Sequence, residues 1–280
     1  MKALLINNTW EEIHMFKLVV TDMDGTFLNA QGTFNKAHFQ ALLAPMKAQG
    51  IRFAFCTGKQ VERVEAVVGD LSQDLFIIGD SATRIQLNGE NIYTKTLDSA
   101  VGQQLINKIK KIDPELTIIV CTPETAYVEN SVRDQDKSMV FGSYEQVTFV
   151  DDLANLTVPI LKITIYDHKA QCFNHVNDLA EFQDDLYIVA AEESWIDITD
   201  KAVDKGTTIQ FLQSLLNIPA EETIVFGDGY NDMPLFENAA YKVAMDNAYP
   251  ELKEKANLIA LNHNQDGVVT TLNVLLKLAR

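Results

Sequence analysis

The chain has 280 residues, of which 47% are hydrophobic and 22% are charged, so it is long enough to bury one large core or two domains. Its formal net charge of -16 at pH 7 repels polyanions, which argues against nonspecific binding to nucleic acid or to an anionic membrane surface. No apolar stretch approaches the length that crosses a bilayer. We therefore expect a globular protein with no nucleic-acid partner and no membrane partner, in which an anionic substrate would need local cations.

The cysteines and the N-terminal segment indicate in which cellular compartment the protein is expected. Cys56, Cys121 and Cys172 are odd in number, widely spaced and without a C-x-x-C pair, which predicts neither a disulfide framework nor a zinc site and favours a reducing cytoplasm. Residues 1–14 contain only a short apolar run, so they do not resemble a signal peptide. Because a second methionine, Met15, precedes the first predicted strand, we expect 1–14 to be an alternative start or a disordered extension.

The N-terminal part of the chain alternates short apolar runs with amphipathic stretches. The runs 16–21, 51–56 and 75–78 predict buried strands, and the stretches 36–49 and 60–71 predict helices. Such alternation is typical of a parallel, doubly wound sheet with helices on both faces.

The middle of the chain has a different pattern. The runs 84–87 and 92–96, on either side of a Gly-containing turn, predict a hairpin. Further helices and strands follow it with no regular alternation, which indicates an α+β insert. The helices are predicted at 99–111 and 170–182, and the strands at 116–121, 126–129, 160–165, 186–190 and 194–198.

The C-terminal part returns to alternation. Its strands are predicted at 223–226, 241–244 and 258–261, and its helices at 206–216, 233–238 and 268–278. The sequence therefore predicts an α/β protein with a doubly wound, parallel-sheet, Rossmann-like core and an inserted α+β domain. We place the first part of the core at 1–85, the insert at 86–195 and the second part of the core at 196–280.

Two carboxylates follow the first predicted strand. Asp22 and Asp24 stand at i and i+2 directly after a buried apolar run. Like charges a few ångströms apart at the end of a buried strand repel each other and are poorly solvated. The pair therefore indicates a bound cation.

Further polar clusters follow other predicted strands. Thr57 and Gly58 follow the second strand, and the acidic stretch 227–232 follows the strand at 223–226, while Lys205 opens a helix. In open parallel sheets, ligands bind outside the carboxyl ends of the strands. We therefore expect these clusters to meet in one crevice.

The acidic residues of these clusters predict a magnesium site. Asp22, Asp24, Asp228 and Asp232 offer hard oxygen ligands, with no histidine or cysteine among them, and such a set suits Mg²⁺. A divalent cation would also relieve the repulsion between the carboxylates.

The remaining polar groups suit a phosphate. The Thr57 hydroxyl, the Gly58 amide and the Lys205 ammonium supply a hydroxyl, a backbone donor at a turn and a point charge for a tetrahedral dianion. Phosphoryl transfer is indicated by the combination of a metal site, a carboxylate nucleophile and a group of donors that can bind a phosphate.

The sequence resembles a known family, the haloacid dehalogenase-like phosphohydrolases. Within that family it is similar to the Cof-type sugar-phosphatase-like branch, which has a large α/β cap. The resemblance rests on D-M-D-G-T at 22–26, on Thr57, on Lys205 and on G-D-G-Y-N-D at 227–232, and it spans the chain after Met15. Four ordered motifs are a specific signal, whereas D-x-D alone is weak. By this resemblance, the insert is the cap that covers the site and selects the leaving group.

The resemblance implies catalytic and metal-binding roles. Asp22 would be the nucleophile that accepts the phosphoryl group as an aspartyl-phosphate. Asp24 would be the general acid for the leaving oxygen and then the base that activates water. The Asp22 carboxylate, the Asp24 carbonyl and Asp228 would hold Mg²⁺, with Asp232 supporting the coordination sphere.

The resemblance also implies phosphate-binding roles. Thr57, Gly58, Lys205 and Asn231 would hold the substrate phosphate. Asn247 lies in a stretch that resembles a family segment near the metal, where it could support the site.

Two positions depart from the usual Cof-type pattern. Lys59 replaces the arginine that usually follows the Thr-Gly of the second motif, so a flexible ammonium replaces a planar fork. Asp80-Ser81-Ala82 replaces the usual Asn-Gly-Ala. Asp80 could favour a cationic or polyol part of the substrate, and it could equally be a turn or helix-cap residue, which is the commoner role.

The sequence therefore predicts a cytoplasmic, Mg²⁺-dependent phosphomonoesterase that acts on a small phosphorylated metabolite, with sugar phosphates as the leading class. One alternative is a phosphomutase that uses the same aspartyl nucleophile and needs a second phosphate site in the cap. Another is a non-enzymatic regulator that binds a phosphometabolite, which Asp24 and the large insert disfavour. Oligomeric state cannot be predicted from the sequence.

Overall fold

The structure is a computed structural model that describes residues 16–278. The described residues form two compact units. The first contains the described parts of Met1–Thr57 and Lys205–Arg280 together with Asp70–Phe76, and the second contains Gly58–Gly69 and Ile77–Asp204. The expected N-terminal extension, 1–14, lies outside the described residues. The boundaries of the cap, 86–195, stay a prediction.

The strands of the described residues are, in chain order, β1 (Leu18–Thr21), β2 (Arg52–Cys56), β3 (Phe76–Gly79), β4 (Arg84–Leu87), β5 (Glu90–Thr94), β6 (Thr117–Cys121), β7 (Ala126–Glu129), β8 (Val147–Val150), β9 (Lys162–Tyr166), β10 (Leu186–Glu192), β11 (Trp195–Asp200), β12 (Thr223–Gly227), β13 (Tyr241–Met245) and β14 (Leu258–Ala260). The α-helices are α1 (Lys36–Ala48), α2 (Val61–Val68), α3 (Ser99–Ile112), α4 (Asp134–Ser143), α5 (Cys172–Asp178), α6 (Lys205–Leu216), α7 (Met233–Glu237), α8 (Pro250–Lys255) and α9 (Gly267–Leu278).

Five strands of the first unit form a parallel sheet in the order β14-β13-β12-β1-β2. The chain therefore places β12 beside β1, although about two hundred residues separate them in sequence. In this register Thr21 pairs with Phe226 on one side and with Phe55 on the other. Because the strands are parallel, the residues that follow β1, β2 and β12 emerge at the same edge of the sheet.

An aromatic cluster packs beneath that edge. The Phe27 ring lies 4.9 Å from both Phe39 and Phe55, measured between ring centroids, and Phe53 lies 5.1 Å from Phe55. All four side chains are buried. Since large buried aromatic side chains contribute much of the energy of a core, the cluster holds the chain after β1 firmly against the sheet.

The second unit contains a mixed six-stranded sheet in the order β10-β11-β9-β6-β7-β8. Its neighbours are antiparallel except for β7 and β8, which run parallel. Apolar side chains of α3 and of the sheet strands, including Leu105, Ile109, Ile118 and Ile163, form a continuous core. The Asp98 side chain begins α3 by accepting hydrogen bonds from the backbone N–H groups of Ala100 and Val101.

The predicted hairpin forms, but with a tighter turn than expected. Strand β5 begins at Glu90 instead of residue 92, and Leu87 pairs with Glu90. The connection is therefore the pair Asn88-Gly89, with φ angles of 53° and 80°. Two successive positive φ angles are typical of the two-residue turn that matches the twist of a hairpin.

The predicted α/β fold with a parallel-sheet core is confirmed. Sequence patterns missed α4, β8 and α8, and the expected helix at 170–182 is shorter, since it ends at Asp178 and a separate 3-10 turn follows. In α4 only Asp136 and Val140 are buried, so the helix shows no apolar stripe. None of the helices in residues 16–278 is long and apolar enough to cross a membrane.

Candidate active site

The site begins with a sharp turn after β1. The Asp22 backbone N–H donates to the Phe226 carbonyl at 3.0 Å, which continues the pairing with β12. The next residues, Met23–Phe27, form one wide turn with non-helical backbone angles at Asp24 and Gly25, closed by the Leu28 N–H, which donates to the Met23 carbonyl at 2.8 Å. The turn leaves the Asp22 side chain buried and the Asp24 side chain exposed.

Gly25 brings this turn against Asp228. Its φ of +71° is in the left-handed region, where residues with a Cβ are strained. A Cβ at this position would collide with the carboxylate of Asp228. The glycine therefore allows the turn and the loop after β12 to meet.

Lys205, the first residue of α6, joins two of the carboxylates. Its Nζ donates to Asp22 Oδ1 and to Asp232 Oδ1, both at 2.6 Å. All three side chains are nearly inaccessible to solvent. Burial alone would lower the pKa of the Lys205 ammonium, but Asp22 and Asp232 outweigh this effect and raise that pKa well above its usual value.

Asp232 also shapes the loop after β12. Its Oδ2 accepts hydrogen bonds from the backbone N–H groups of Asp228 at 2.9 Å and Gly229 at 3.0 Å. A Cβ on Gly227 would lie 2.6 Å from the Asp232 Cγ, so only glycine fits beneath this carboxylate. Because both oxygens of Asp232 already accept protein hydrogen bonds, the residue orients the loop and the lysine.

Asp228, next to Asp232 in the acidic cluster, is partly exposed to solvent. The Thr26 hydroxyl donates to its Oδ1 at 2.5 Å. Burial, followed by the neighbouring Asp232 carboxylate, raises the pKa of Asp228 to about 7 against the opposing effect of the Thr26 bond. The ionised form of Asp228 is therefore poorly stabilised by the protein alone.

The ionised form of Asp22 is also poorly stabilised by its surroundings. Burial raises the pKa of Asp22 well above its usual value, and the Lys205 ammonium opposes this shift. The carboxylates of Asp232, Asp228 and Asp24 raise it further. Within residues 16–278, one ammonium thus bonds two buried carboxylates, with the partly exposed Asp228 beside them, which leaves uncompensated negative charge.

A divalent metal ion fits this charge distribution. One ligand atom from each of Asp22, Asp228 and Asp232 lies within 4.8 Å of the others. Oxygen ligands at this spacing suit a hard cation such as Mg²⁺. A cation between them would supply the positive charge that Lys205 alone does not.

The structure brings four predicted site residues together by direct contact: Asp22, Lys205, Asp228 and Asp232. Thr57 is buried at the end of β2, at the same edge of the sheet. Asn231 is half-buried in the 3-10 turn Tyr230–Asp232, which follows β12. Gly58 belongs to the second unit.

Two supporting contacts of the site were not predicted from the sequence. One is the Thr26 hydroxyl bond, although Thr26 is part of the first motif. The other is a pair of hydrogen bonds by which the Asn247 side chain joins two loops. Its Nδ2 donates to the Gly25 carbonyl at 2.7 Å, and its Oδ1 accepts from the His263 N–H at 3.1 Å. The sequence indicated Asn247 as a residue near the metal, but its partners come from loops that no local pattern connects.

A stacked aromatic pair joins the loop after β12 to Tyr249. The rings of Tyr230 and Tyr249 lie 4.4 Å apart between centroids, at an interplanar angle of 26°. The Tyr249 N–H donates to the Asp228 carbonyl at 3.1 Å. The backbone that carries Asp228 is therefore held by both Asp232 and Tyr249.

Asp80 has a structural partner inside the second unit. It is fully buried, and its Oδ2 accepts a hydrogen bond from the Arg84 Nε at 2.7 Å. Its carbonyl accepts the Thr83 hydroxyl at 2.8 Å. These contacts support the turn interpretation of Asp80 over a contact with substrate.

The chain is similar to known proteins over most of its length. A family model described as haloacid dehalogenase-like hydrolase matches residues 19–272. The 5-amino-6-(5-phospho-D-ribitylamino)uracil phosphatase YbjI of Escherichia coli (strain K12) is 28% identical over 266 residues, which cover 93% of this chain and 96% of the relative.

Two solved structures share the fold. The crystal structure of SMU.1108c from Streptococcus mutans UA159 superposes with a TM-score of 0.89 at 24% identity, covering 94% of this chain and 99% of that one. The HAD subclass IIB sugar phosphatase BT4131 superposes with a TM-score of 0.78 at 19% identity, covering 92% of this chain and 98% of that one.

Proposed function

Since the chain belongs to the haloacid dehalogenase-like hydrolases and is a phosphoric monoester hydrolase, we propose that it hydrolyses small phosphorylated metabolites, with sugar phosphates as the leading class, through an aspartyl-phosphate on Asp22. The family and its Cof-type branch agree with the prediction from the motifs. The observation that carries the proposal is the buried contact of Asp22 with Lys205 beside Asp228.

The proposed cofactor is Mg²⁺. The Asp22 carboxylate, the Asp24 carbonyl and Asp228 would hold it, while Asp232 keeps the loop of Asp228 in place through two backbone N–H groups. When bound, the ion would neutralise charge on the transferred phosphoryl group and on the carboxylates. The support is the uncompensated charge of the acidic cluster and its oxygen-only ligand set.

In the first step, an oxygen of the Asp22 carboxylate attacks phosphorus and the bond from phosphorus to the ester oxygen breaks. The exposed Asp24 carboxyl donates its proton to the departing oxygen, so an alcohol leaves. A loose phosphoryl transition state depends on alignment and charge neutralisation more than on a strong nucleophile, so a fixed carboxylate suffices. Lys205 fixes Asp22 by its hydrogen bond to Oδ1.

In the second step, water attacks the phosphorus of the aspartyl-phosphate. The Asp24 carboxylate takes the proton of this water, and the bond from phosphorus to the Asp22 oxygen breaks. Inorganic phosphate is released and Asp24 is again protonated. The same residue therefore acts as acid and then as base.

The phosphate would be held by Thr57, Gly58, Lys205 and Asn231. An ammonium has three N–H donors, and within residues 16–278 the hydrogen bonds of Lys205 Nζ to Asp22 and Asp232 use two of them. The third can therefore reach a phosphate oxygen. Thr57 and Asn231 follow strands that end at the same edge of the sheet.

The substrate class rests on names of related proteins. The relative YbjI is named for a phosphorylated ribitylamino compound, and the structural neighbour BT4131 is named a sugar phosphatase. Both names describe phosphate esters of small polyhydroxy compounds. We propose a substrate of this class for the present chain. We also propose a cytoplasmic location, for which the support is that no disulfide joins Cys56, Cys121 and Cys172, which all lie within residues 16–278.

A hydrolysis screen tests the proposed function. Purified protein is incubated with a panel of sugar phosphates, a phosphorylated ribitylamino-uracil and p-nitrophenyl phosphate, with Mg²⁺ or with EDTA, and released phosphate is measured. We expect Mg²⁺-dependent release that is abolished by Asp22→Asn and by Asp24→Asn. Asp266→Asn, which changes a carboxylate outside the acidic cluster, is the matched control and should retain activity.

Two results would contradict the proposal. Equal turnover in EDTA and in Mg²⁺ would rule out a requirement for the metal. Undiminished turnover in Asp22→Asn would rule out the covalent mechanism. Phosphate binding by the wild-type protein without turnover of any ester would favour a phosphometabolite-binding regulator instead.

A further inference from the structure

A buried ammonium in the second unit contacts the segment that follows β2. Lys162, the first residue of β9, is only 1% exposed. Its Nζ donates to the Gly58 carbonyl at 2.7 Å, to the Ser81 Oγ at 2.9 Å and to Asp197 Oδ1 at 3.0 Å. All three N–H donors of the ammonium therefore have a partner.

The backbone of Gly58 is enclosed by the same partners. A Cβ at Gly58 would lie 3.0 Å from Asp197 Oδ2 and 3.6 Å from the Ser81 Oγ. A side chain at this position would have to displace the carboxylate that pairs with Lys162. The absence of a side chain thus lets the Gly58 carbonyl reach the ammonium.

Ser81 explains one departure from the usual family pattern. It is the second of three successive residues with positive φ: Asp80 at 51°, Ser81 at 55° and Ala82 at 72°. A glycine would adopt this conformation without strain. The serine accepts a hydrogen bond from Lys162, and its bond to Asp197 helps to lower the pKa of that carboxyl, so the strained residue supplies a hydroxyl between the two charges.

The ion pair is charged on both sides. Burial alone would lower the pKa of Lys162, but Asp197 outweighs it and the pKa is raised. Burial alone would raise the pKa of Asp197, but Lys162 and hydrogen bonds lower it. Replacing a buried ion pair by apolar residues is often neutral for stability, so a pair of this kind is weak evidence for a stabilising role.

We propose that Lys162 is a positioning residue for phosphate binding, acting through the Gly58 carbonyl. The inference rests on the proposed function, which assigns the Thr57 hydroxyl and the Gly58 N–H to the substrate phosphate. The ammonium fixes the peptide that joins Gly58 to Lys59 in one orientation, and Ser81 and Asp197 fix the ammonium. Lys162 itself does not touch the phosphate.

The test compares three variants. Lys162→Met removes the ammonium and keeps the length of the side chain. Asp197→Asn is the comparison variant, because it removes the carboxylate charge that pairs with Lys162 but keeps both the ammonium and an acceptor oxygen beside it. The double variant Lys162→Met/Asp197→Leu removes both charges, so no carboxylate is left buried without a partner.

The first readout is the affinity for inorganic phosphate in the presence of Mg²⁺, with KM and kcat for p-nitrophenyl phosphate measured at a temperature where every variant is folded. We expect Lys162→Met and the double variant to weaken phosphate binding by about tenfold, since the released Gly58 backbone would have to be ordered again when phosphate binds. Asp197→Asn should lose less affinity than Lys162→Met, because the amide oxygen of asparagine can still accept a hydrogen bond from the ammonium that holds the Gly58 carbonyl. Equal phosphate affinity in Lys162→Met and Asp197→Asn, or recovered affinity in the double variant, would overturn the proposal.

The second readout does not need activity. Amide hydrogen exchange at Gly58 and Lys59, followed by NMR without ligand, should be faster in Lys162→Met than in Asp197→Asn, because the first variant alone frees the Gly58 carbonyl. If the wild type binds and hydrolyses no phosphate compound, the proposed function fails, and unchanged exchange in Lys162→Met would refute the positioning role separately.

Discussion

The Lys205 ammonium offsets part of the negative charge of the acidic cluster. It is the cation that bonds both Asp22 and Asp232, and all three side chains are buried. A buried carboxylate that loses its partner is costly, whereas an exposed ion pair contributes little. The stability of the site without metal therefore depends strongly on this one side chain.

We predict that Lys205→Met lowers the free energy of unfolding by about 3–5 kcal/mol at neutral pH, because it leaves two buried carboxylates without an ammonium. The loss should shrink at acidic pH, where protonation of Asp22 removes the uncompensated charge. Urea denaturation without metal measures both effects. Lys47→Met breaks an exposed ion pair with Asp74 and should cost at most about 1 kcal/mol; an equal cost for the two variants would contradict the account.

Ser81 gives a second prediction about a single residue. Ser81→Ala and Ser81→Gly both remove the hydroxyl, but only glycine adopts a φ of 55° without strain. We expect the glycine variant to be more stable than the alanine variant by about 1 kcal/mol in thermal or urea unfolding. At Ser138, an exposed position inside α4, the same pair should show the opposite order because glycine disfavours helix.

At this scale the sequence predicted which residues meet better than how they bond. It predicted that Asp22, Lys205, Asp228 and Asp232 would lie together at the strand ends, and the structure brings them into contact, while their chemical roles stay a prediction. It did not predict that Asp232 would accept two backbone N–H groups or that Ser81 would bond Lys162. Those contacts depend on loop conformations that only the folded chain determines.

The elements that position the site are β1, β12 and the turn between β1 and α1. The register of Thr21 opposite Phe226 places Asp22 beside the loop of Asp228. Gly25 then lets this turn approach the Asp228 carboxylate. The close approach of the two loops depends on this turn more than on either strand.

We predict that Gly25→Ala weakens Mg²⁺ binding and lowers stability, because the new Cβ is strained at φ +71° and collides with Asp228. Gly32→Ala is the matched control: its φ is +69°, but a Cβ there would have no atom of residues 16–278 within 4 Å. Both variants should lose about 1–2 kcal/mol to backbone strain. Only Gly25→Ala should also lose metal affinity, measured by calorimetry, and unchanged affinity would contradict the described geometry.

Sequence periodicity predicted the elements that bury a continuous face. Strands β1, β2 and β12 are apolar and almost wholly buried, and α9 carries an apolar stripe, so each was found within one or two residues. In contrast, β8 has no fully buried residue and α8 has only six residues. Such elements owe their conformation to their neighbours, so the local sequence carries little signal for them.

For the whole molecule, the raised pKa values of the site link stability to pH and metal. Burial raises the pKa of Asp228 to about 7, above its value in an unfolded chain, so the folded protein binds more protons than the unfolded protein between about pH 4 and pH 7. The stabilising contribution of this group is therefore present at acidic pH and is lost as pH rises toward 7.

We predict that the Tm of the protein in EDTA falls over this range and that Mg²⁺ raises the Tm most at or above pH 7, where Asp228 is ionised. Differential scanning calorimetry across pH, with and without Mg²⁺, measures this. Asp228→Asn removes the titrating group and should flatten both dependences. A stabilisation by Mg²⁺ that is equally large at pH 5 and pH 8 would argue against Asp228 as a ligand.

The most direct measurement on the central claim is mass spectrometry of the Asp24→Asn protein after rapid acid quench of a reaction with p-nitrophenyl phosphate. This leaving group needs no proton from Asp24, whereas the attack of water needs the Asp24 carboxylate as a base, so the first step should proceed and the second should stall. We predict one phosphoryl group per chain on the peptide that contains Asp22, and none when Asp22→Asn is added. Release of p-nitrophenol by the wild-type protein with no phosphorylated Asp22 peptide in either form would contradict the covalent mechanism.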